Sequence, residues 1–159
     1  MNAARLVLAG ALLTSAVALY AKPVAKPAAP SAAELVTARQ AGMDMSASSL
    51  TLLKNASTNG VPMKNLAFPA SGLAKWATAL PTLFADSTKG AKSDAKPEVF
   101  TDRTGFNAKA QAYIDATKAL AAAAAADDKS GFDAALASTG AACKGCHDAY
   151  KVPPPAKPG

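Results

Sequence analysis

The chain has 159 residues, with 17 basic and 11 acidic side chains and a net charge of +6 at neutral pH. No block of basic residues occurs and none is interleaved with aromatic residues, so binding of nucleic acid is not expected. The length predicts one domain with processed or loose ends, and the abundance of alanine favours close-packed helices over a sheet.

The first residues have the pattern of a secretory signal peptide. Arg5 provides a positive charge, residues 6–19 are apolar, and small residues near Ala21 offer a cleavage site. A membrane anchor is the alternative, but the apolar run is shorter than the ~20 residues that span a bilayer. We therefore predict a signal peptide over residues 1–21, export to the periplasm, and no stable membrane insertion after cleavage.

A short linker separates this segment from the predicted domain. Residues 22–30 read KPVAKPAAP, a Pro/Ala/Lys composition that can bury little surface and is typical of extended chain. The domain itself is predicted over residues 31–151.

Two helices are predicted in the first half of the domain. Ser31 and Glu34 have the spacing of a capping box, which predicts a helix from about residue 32 to about 55. Residues at spacings of four and three define its inward face: Leu35, Arg39, Met43, Ala47 and Leu50. A second helix is predicted over residues 62–80, with Pro69 either kinking it or moving its start.

A polar connection over residues 85–103 precedes two further predicted helices. The third is predicted over residues 104–126, with an inward stripe of Phe106, Ala110, Tyr113, Thr117 and Leu120. The fourth begins near Ser130, where a second N-terminal cap is expected, and runs to about residue 150. The Pro-rich tail, residues 152–159, is expected to be disordered.

The fourth helix carries the motif with the clearest chemical meaning, Cys143-Lys144-Gly145-Cys146-His147. This C-x-x-C-H pattern is the attachment signature of a c-type haem: each thiol joins one vinyl group of the porphyrin, and the histidine becomes the proximal ligand of the iron. The chain has no other cysteine and no other histidine. Haem is attached to c-type cytochromes outside the cytoplasm, which agrees with the predicted signal peptide.

Other uses of the two cysteines fit the sequence less well. A disulfide leaves the adjacent histidine unused, and structural zinc usually needs four ligands, of which this chain supplies three. A redox dithiol is expected between a strand and a helix, and no convincing strand is predicted. A dithiol or a partial metal site remains the alternative to one covalent haem c.

The chain resembles the class II c-type cytochromes, the cytochrome c′ family, over residues 31–151. The resemblance is carried by the haem motif near the C-terminus in the context CKGCHDAYK and by RQAGM on the first helix. The stretches WATALPTLF and TDRTGFNAKAQAY are also similar to that family.

The resemblance implies an all-α fold, an antiparallel up-down-up-down four-helix bundle that encloses a covalent haem c and is often dimeric. It further implies that Cys143 and Cys146 hold the haem, that His147 is the proximal ligand, and that Met43 lies over the opposite face of the haem. Arg39 falls where the family places a basic residue near the propionates.

Two functions follow, depending on the sixth ligand of the iron. If Met43 coordinates, a periplasmic electron carrier is predicted, because a thioether favours ferrous iron and raises the potential. If Met43 only packs over the haem, the iron is five-coordinate and binds nitric oxide or carbon monoxide at a vacant site. The basic charge suits docking on an acidic redox partner. An enzyme is not expected, because the single histidine is committed to the iron.

Overall fold

The computed structural model describes residues 28–155, and the predicted signal peptide lies outside them, as do most of the linker and the end of the tail. Five helices occur in the described part: α1 (Ala32–Thr58), α2 (Ala67–Ala79), α3 (Glu98–Thr101), α4 (Arg103–Ala125) and α5 (Lys129–Tyr150). Short 3₁₀ turns over residues 63–66, 80–83 and 86–88 lie between them. Within residues 28–155 the only β-type pairing is an isolated antiparallel bridge between Ala95 and Lys151.

The four long helices form the predicted up-down-up-down bundle. Helix α1 contacts α2 and α5, α2 packs on α4, and α4 has its most extensive contact with α5. The interior includes three large apolar side chains with no exposed surface: Leu53, Leu120 and Phe132. The all-α prediction is therefore confirmed. None of the helices between residues 28 and 155 combines the length and apolar character needed to cross a membrane.

Helix α1 begins at the predicted capping box. The Ser31 backbone N–H donates to the Glu34 carboxylate over 2.7 Å, and the Glu34 N–H donates to Ser31 Oγ over 3.3 Å. These bonds satisfy two of the donors that a helix N-terminus leaves unpaired. The helix continues three residues beyond the predicted end before Gly60, at φ 73°, turns the chain.

Pro69 moves the start of α2 rather than kinking it. The chain from Met63 to Leu66 is a 3₁₀ turn, and α2 starts at Ala67, so Pro69 falls within its first turn. Backbone N–H groups in a first turn have no partner inside the helix, and a proline therefore costs little there.

Helices α4 and α5 meet at a tight turn whose cap was misplaced in the sequence prediction. Asp128, not Ser130, is the N-cap of α5, since its carboxylate accepts from the Gly131 N–H over 3.0 Å. Asp127 takes a left-handed conformation at φ 55° and accepts a hydrogen bond from the Lys64 N–H over 3.0 Å.

All five residues of the predicted α4 stripe are buried.

Gly42 allows α1 to lie against α2. A Cβ atom at this position would collide with the ring of Trp76, which occupies the space beside the glycine. The absence of a side chain at residue 42 therefore sets how closely the two helices approach, one residue before Met43.

We expect Gly42→Ala to destabilise the fold by about 1–3 kcal/mol because the methyl group overpacks this contact, although alanine is otherwise the better helix former. Gly72→Ala is the matched control, since nothing lies within 4 Å of its Cβ position and it also lies in a helix. Urea unfolding of both variants measures the difference in their free energies of unfolding. Equal midpoints for the two would contradict the steric role of Gly42.

Candidate haem-binding site

Two adjoining cavities lie between α1, α4, α5 and the connection that precedes α3. The larger measures about 500 Å³, within the roughly 300–1,000 Å³ typical of small-molecule and cofactor sites, and the smaller about 160 Å³. Six residues line both: Met43, Ala47, Phe84, Phe106, Cys146 and His147. The structure thus brings the C-x-x-C-H motif of α5 to the same cavities as the predicted α1 residues.

Both thiols of the motif are free and half-buried. Burial is the main cause that raises the pKa of Cys143 and of Cys146, and for Cys146 the nearby Cys143 adds to it while Lys109 opposes it. Reactive redox dithiols instead have a lowered pKa in an electropositive surrounding. The raised pKa values disfavour the dithiol alternative. The two cysteines are three positions apart in the sequence, so both thiols lie on one side of α5 and can reach one edge of a ligand.

His147 is exposed and lines both cavities. Its pKa is lowered, first by desolvation and then by the charge of Lys151, with Asp148 acting in the opposite direction. An imidazole that stays neutral keeps a nitrogen lone pair available for a metal.

Arg39 is a buried cation, only 3% exposed, at the wall of the larger cavity. Its guanidinium donates to Leu83 O over 3.3 Å, to Thr88 Oγ1 over 3.0 Å and to Ser93 Oγ over 2.9 Å, and it lies 4.5 Å from the centre of the Phe84 ring. Desolvation lowers its pKa. Arg39 is therefore no surface charge. Within the described residues its hydrogen-bond partners are all neutral, which leaves its charge free to attract an anionic group in the cavity.

Among the methionines of the described chain, Met43 alone lines these cavities. It is half-buried, whereas Met45 is 70% exposed and Met63 is buried in the core. Arg39, Met43, Ala47 and Leu50 all line the cavities, so the predicted α1 face is correct for these four residues. The sequence gives no signal for Ser93, which lines the larger cavity and belongs to a polar connection.

These residues fit a haem tethered to α5. Two thiols and an imidazole line the smaller cavity, whose walls are aromatic and aliphatic. A buried cation lies in the wall of the adjoining larger cavity and could pair with the negatively charged propionates of a haem. Between residues 28 and 155 no three His, Cys, Asp or Glu side chains come together as a metal-ion site. Cys143 and Cys146 would hold the porphyrin, and His147 would hold its iron.

Comparison with known proteins agrees with this arrangement. The family model for cytochrome c′ matches residues 34–151. A cytochrome c′ of Alcaligenes xylosoxydans xylosoxydans is 44% identical over 78 residues, which is 48% of this chain and 60% of that relative. The chain thus spans less than two thirds of the length of this curated relative.

Two solved structures share the fold over nearly their whole length. A ferrous variant of cytochrome c prime from Alcaligenes xylosoxidans with bound NO has a TM-score of 0.72 and 29% identity, covering 80% of this chain and 100% of that one. A cytochrome c′ with ligand-controlled dimer dissociation has a TM-score of 0.73 and 26% identity, covering 79% and 100%. Fold and site define a helical-bundle protein with a C-terminal haem motif. The chain belongs to the cytochrome c′ family, and its cofactor is haem c.

Proposed function

We propose that this protein binds a small diatomic gas, nitric oxide or carbon monoxide, at a haem iron held only by His147. The observation that carries the proposal is the cavity wall on the α1 side, where Met43, Ala47 and Leu50 offer no nitrogen ligand. The related protein with bound NO supports it.

The chain's own residues have separate tasks in this proposal. When bound, haem c supplies an iron with one open coordination position. Cys143 and Cys146 tether the cofactor, and the His147 imidazole is its one strong protein ligand. Met43 narrows the space on the α1 side and so admits small ligands, while Arg39 balances the negative charge of the haem edge.

The absorption spectrum of the purified holoprotein tests this function. We expect a high-spin ferric spectrum and ready binding of carbon monoxide by the ferrous protein. Met43→Ala should leave the spin state unchanged and increase the association rate of carbon monoxide, because it widens the cavity. Met45→Ala is the matched control, since this methionine is two residues away and exposed. A low-spin parent spectrum that Met43→Ala alone converts to high spin would contradict the proposal.

The same outcome would support the second candidate function, an electron carrier in which Met43 ligates the iron. The presence of Met43 and His147 in the same two cavities favours this candidate. An acidic redox partner would then suit the net charge of +6.

We further propose a periplasmic location, on the basis of the signal-peptide pattern of residues 1–21 and of haem c attachment outside the cytoplasm. Detection of the mature, coloured protein in a periplasmic extract, with a mass that lacks the first ~21 residues, tests it. An intact N-terminus on the haem-loaded protein would contradict it.

We also propose that a second copy of the chain covers the outer face of α1 and α2. Phe68 is 91% exposed and Leu52 53% exposed. Because Gly42 lies beside Trp76 and the helices are antiparallel, Phe68 lies near the level of Leu52. Large exposed apolar side chains at one level of two neighbouring helices are typical of an interaction surface. Analytical ultracentrifugation of the parent and of Phe68→Glu tests this: we expect a dimer and a monomer, respectively, and a monomeric parent would contradict it.

A further inference from the structure

The C-terminal end of α5, which carries His147, is held by a different part of the chain. The last four carbonyls of a helix have no partner within it. Here the His147 carbonyl accepts from the Lys151 N–H over 3.0 Å, and the next three carbonyls all accept from Lys96. The Lys96 ammonium donates to Asp148 O over 3.0 Å and to Ala149 O over 3.2 Å, and its backbone N–H donates to Tyr150 O over 2.9 Å.

The chain after α5 cannot supply these donors itself. Residues 153–155 are all proline and have no N–H group, and the Val152 N–H donates to Asp94 O over 2.8 Å. A positive charge at a helix C-terminus also has a favourable interaction with the helix dipole. Lys96 therefore supplies both the missing donors and the favourable charge, one helical turn or less from His147.

The segment that contains Lys96 is anchored at its other end to α1. Arg39 donates to Ser93 Oγ over 2.9 Å, and the same oxygen accepts from the Ala95 N–H over 3.3 Å. Residues 93–96, which we call the strap, thus connect the buried arginine of α1, one turn before Met43, to the end of the helix that carries His147. The connection crosses the wall of the larger cavity, which Ser93 and Ala95 line.

We propose that Lys96 is a positioning residue for His147: its ammonium group holds the last turn of α5 closed and thereby fixes the orientation of the imidazole toward the iron. This inference rests on the proposed role of His147 as the iron ligand. Two other lysines contact the end of α5 in a different way. Lys144 pairs with the side chain of Asp148 over 2.6 Å, and Lys151 contributes only its backbone N–H. Lys96 is the lysine whose side chain bonds to the main chain of this turn.

The test compares Lys96→Met, Lys96→Arg and Lys92→Met in the haem-loaded protein. Lys96→Met keeps an unbranched side chain, one atom shorter, and removes its donors, while the backbone pairing to Tyr150 does not depend on the side chain. Lys92→Met removes the same charge from an exposed lysine of the same connection. We expect amide exchange in residues 147–151 to become about tenfold faster in Lys96→Met, because two charged hydrogen bonds are lost, and to stay at the parent rate in Lys92→Met.

The second measurement is the iron–histidine stretching band of the ferrous protein by resonance Raman spectroscopy. In Lys96→Met we expect the band to shift and broaden, and in Lys96→Arg to return toward the parent position, because arginine restores charged donors. Parent-like exchange in Lys96→Met would overturn the proposal. Faster exchange with an unchanged band would also overturn it, since Lys96 would then cap the helix without positioning the imidazole. A band missing from the parent as well would instead refute the proposed five-coordinate iron, because a ferrous haem with a sixth ligand does not show it. The exchange rates do not depend on the sixth ligand and would then decide the role of Lys96.

Discussion

Replacement of both Cys143 and Cys146 with alanine is expected to give a colourless, poorly ordered chain. Without the two proposed tethers, the cavities between α1 and α5 would lose the cofactor that we expect to fill them. An unfilled apolar cavity costs about 24 cal/mol per Å³, so the smaller cavity of about 160 Å³ alone costs up to about 4 kcal/mol. That is a large part of the ~5–15 kcal/mol by which domains are stable. Mass spectrometry tests for the loss of haem, near-ultraviolet circular dichroism for the loss of ordered packing, and thermal unfolding for the loss of stability.

The single variants Cys143→Ala and Cys146→Ala are the controls, since each keeps one thiol at the cavity. Each should retain haem and a cooperative transition at a lowered midpoint. A sharp, two-state unfolding transition of the haem-free double variant would show that the helices pack well without the cofactor.

Arg39→Leu is expected to have the second-largest effect, in two separate measurements. Stability should fall by about 3 kcal/mol, because Leu83 O, Thr88 Oγ1 and Ser93 Oγ lose a charged donor inside the protein. The midpoint potential should also fall, because a positive charge at the cavity wall favours the ferrous over the ferric state. Urea unfolding and a redox titration of the holoprotein give the two values.

Arg103→Leu separates these two effects. Arg103 also donates to backbone carbonyls and lies 5.6 Å from the centre of the Phe106 ring, but it is not part of either cavity wall. It should lower stability with a smaller change in potential. Equal changes in potential for both arginine variants would argue against a specific role of Arg39 beside the haem edge.

The helices and the site were predictable from the sequence where the signal is local. The capping box of Ser31 and Glu34 and the stripe from Phe106 to Leu120 depend on residues within one helix, and both are present in the structure. The N-cap of α5 was misplaced because Asp128 and Ser130 are both good caps. The choice between them depends on the left-handed turn at Asp127 and its bond to Lys64, far away in the sequence.

Non-local contacts account for what the sequence did not predict. The spacing on α1 identified Arg39 and Met43 as members of one face, but the neutral partners of the guanidinium come from residues 83–93, in a connection without periodicity. Lys96 is one of many lysines and its sequence context marks it only as the residue before a proline. Its role at the end of α5 follows from three hydrogen bonds that span more than 50 residues.

Cys143 and Cys146 lie within a single turn of α5, so the two proposed thioether bonds tie the porphyrin to one helix and cross-link no others. Heating would therefore separate the helices while the pigment stays on the chain. Renaturation would then need no bimolecular recapture of cofactor, since the tether keeps it at a high effective concentration near its own pocket. The colour of the protein should survive repeated cycles of melting and cooling, even at high dilution.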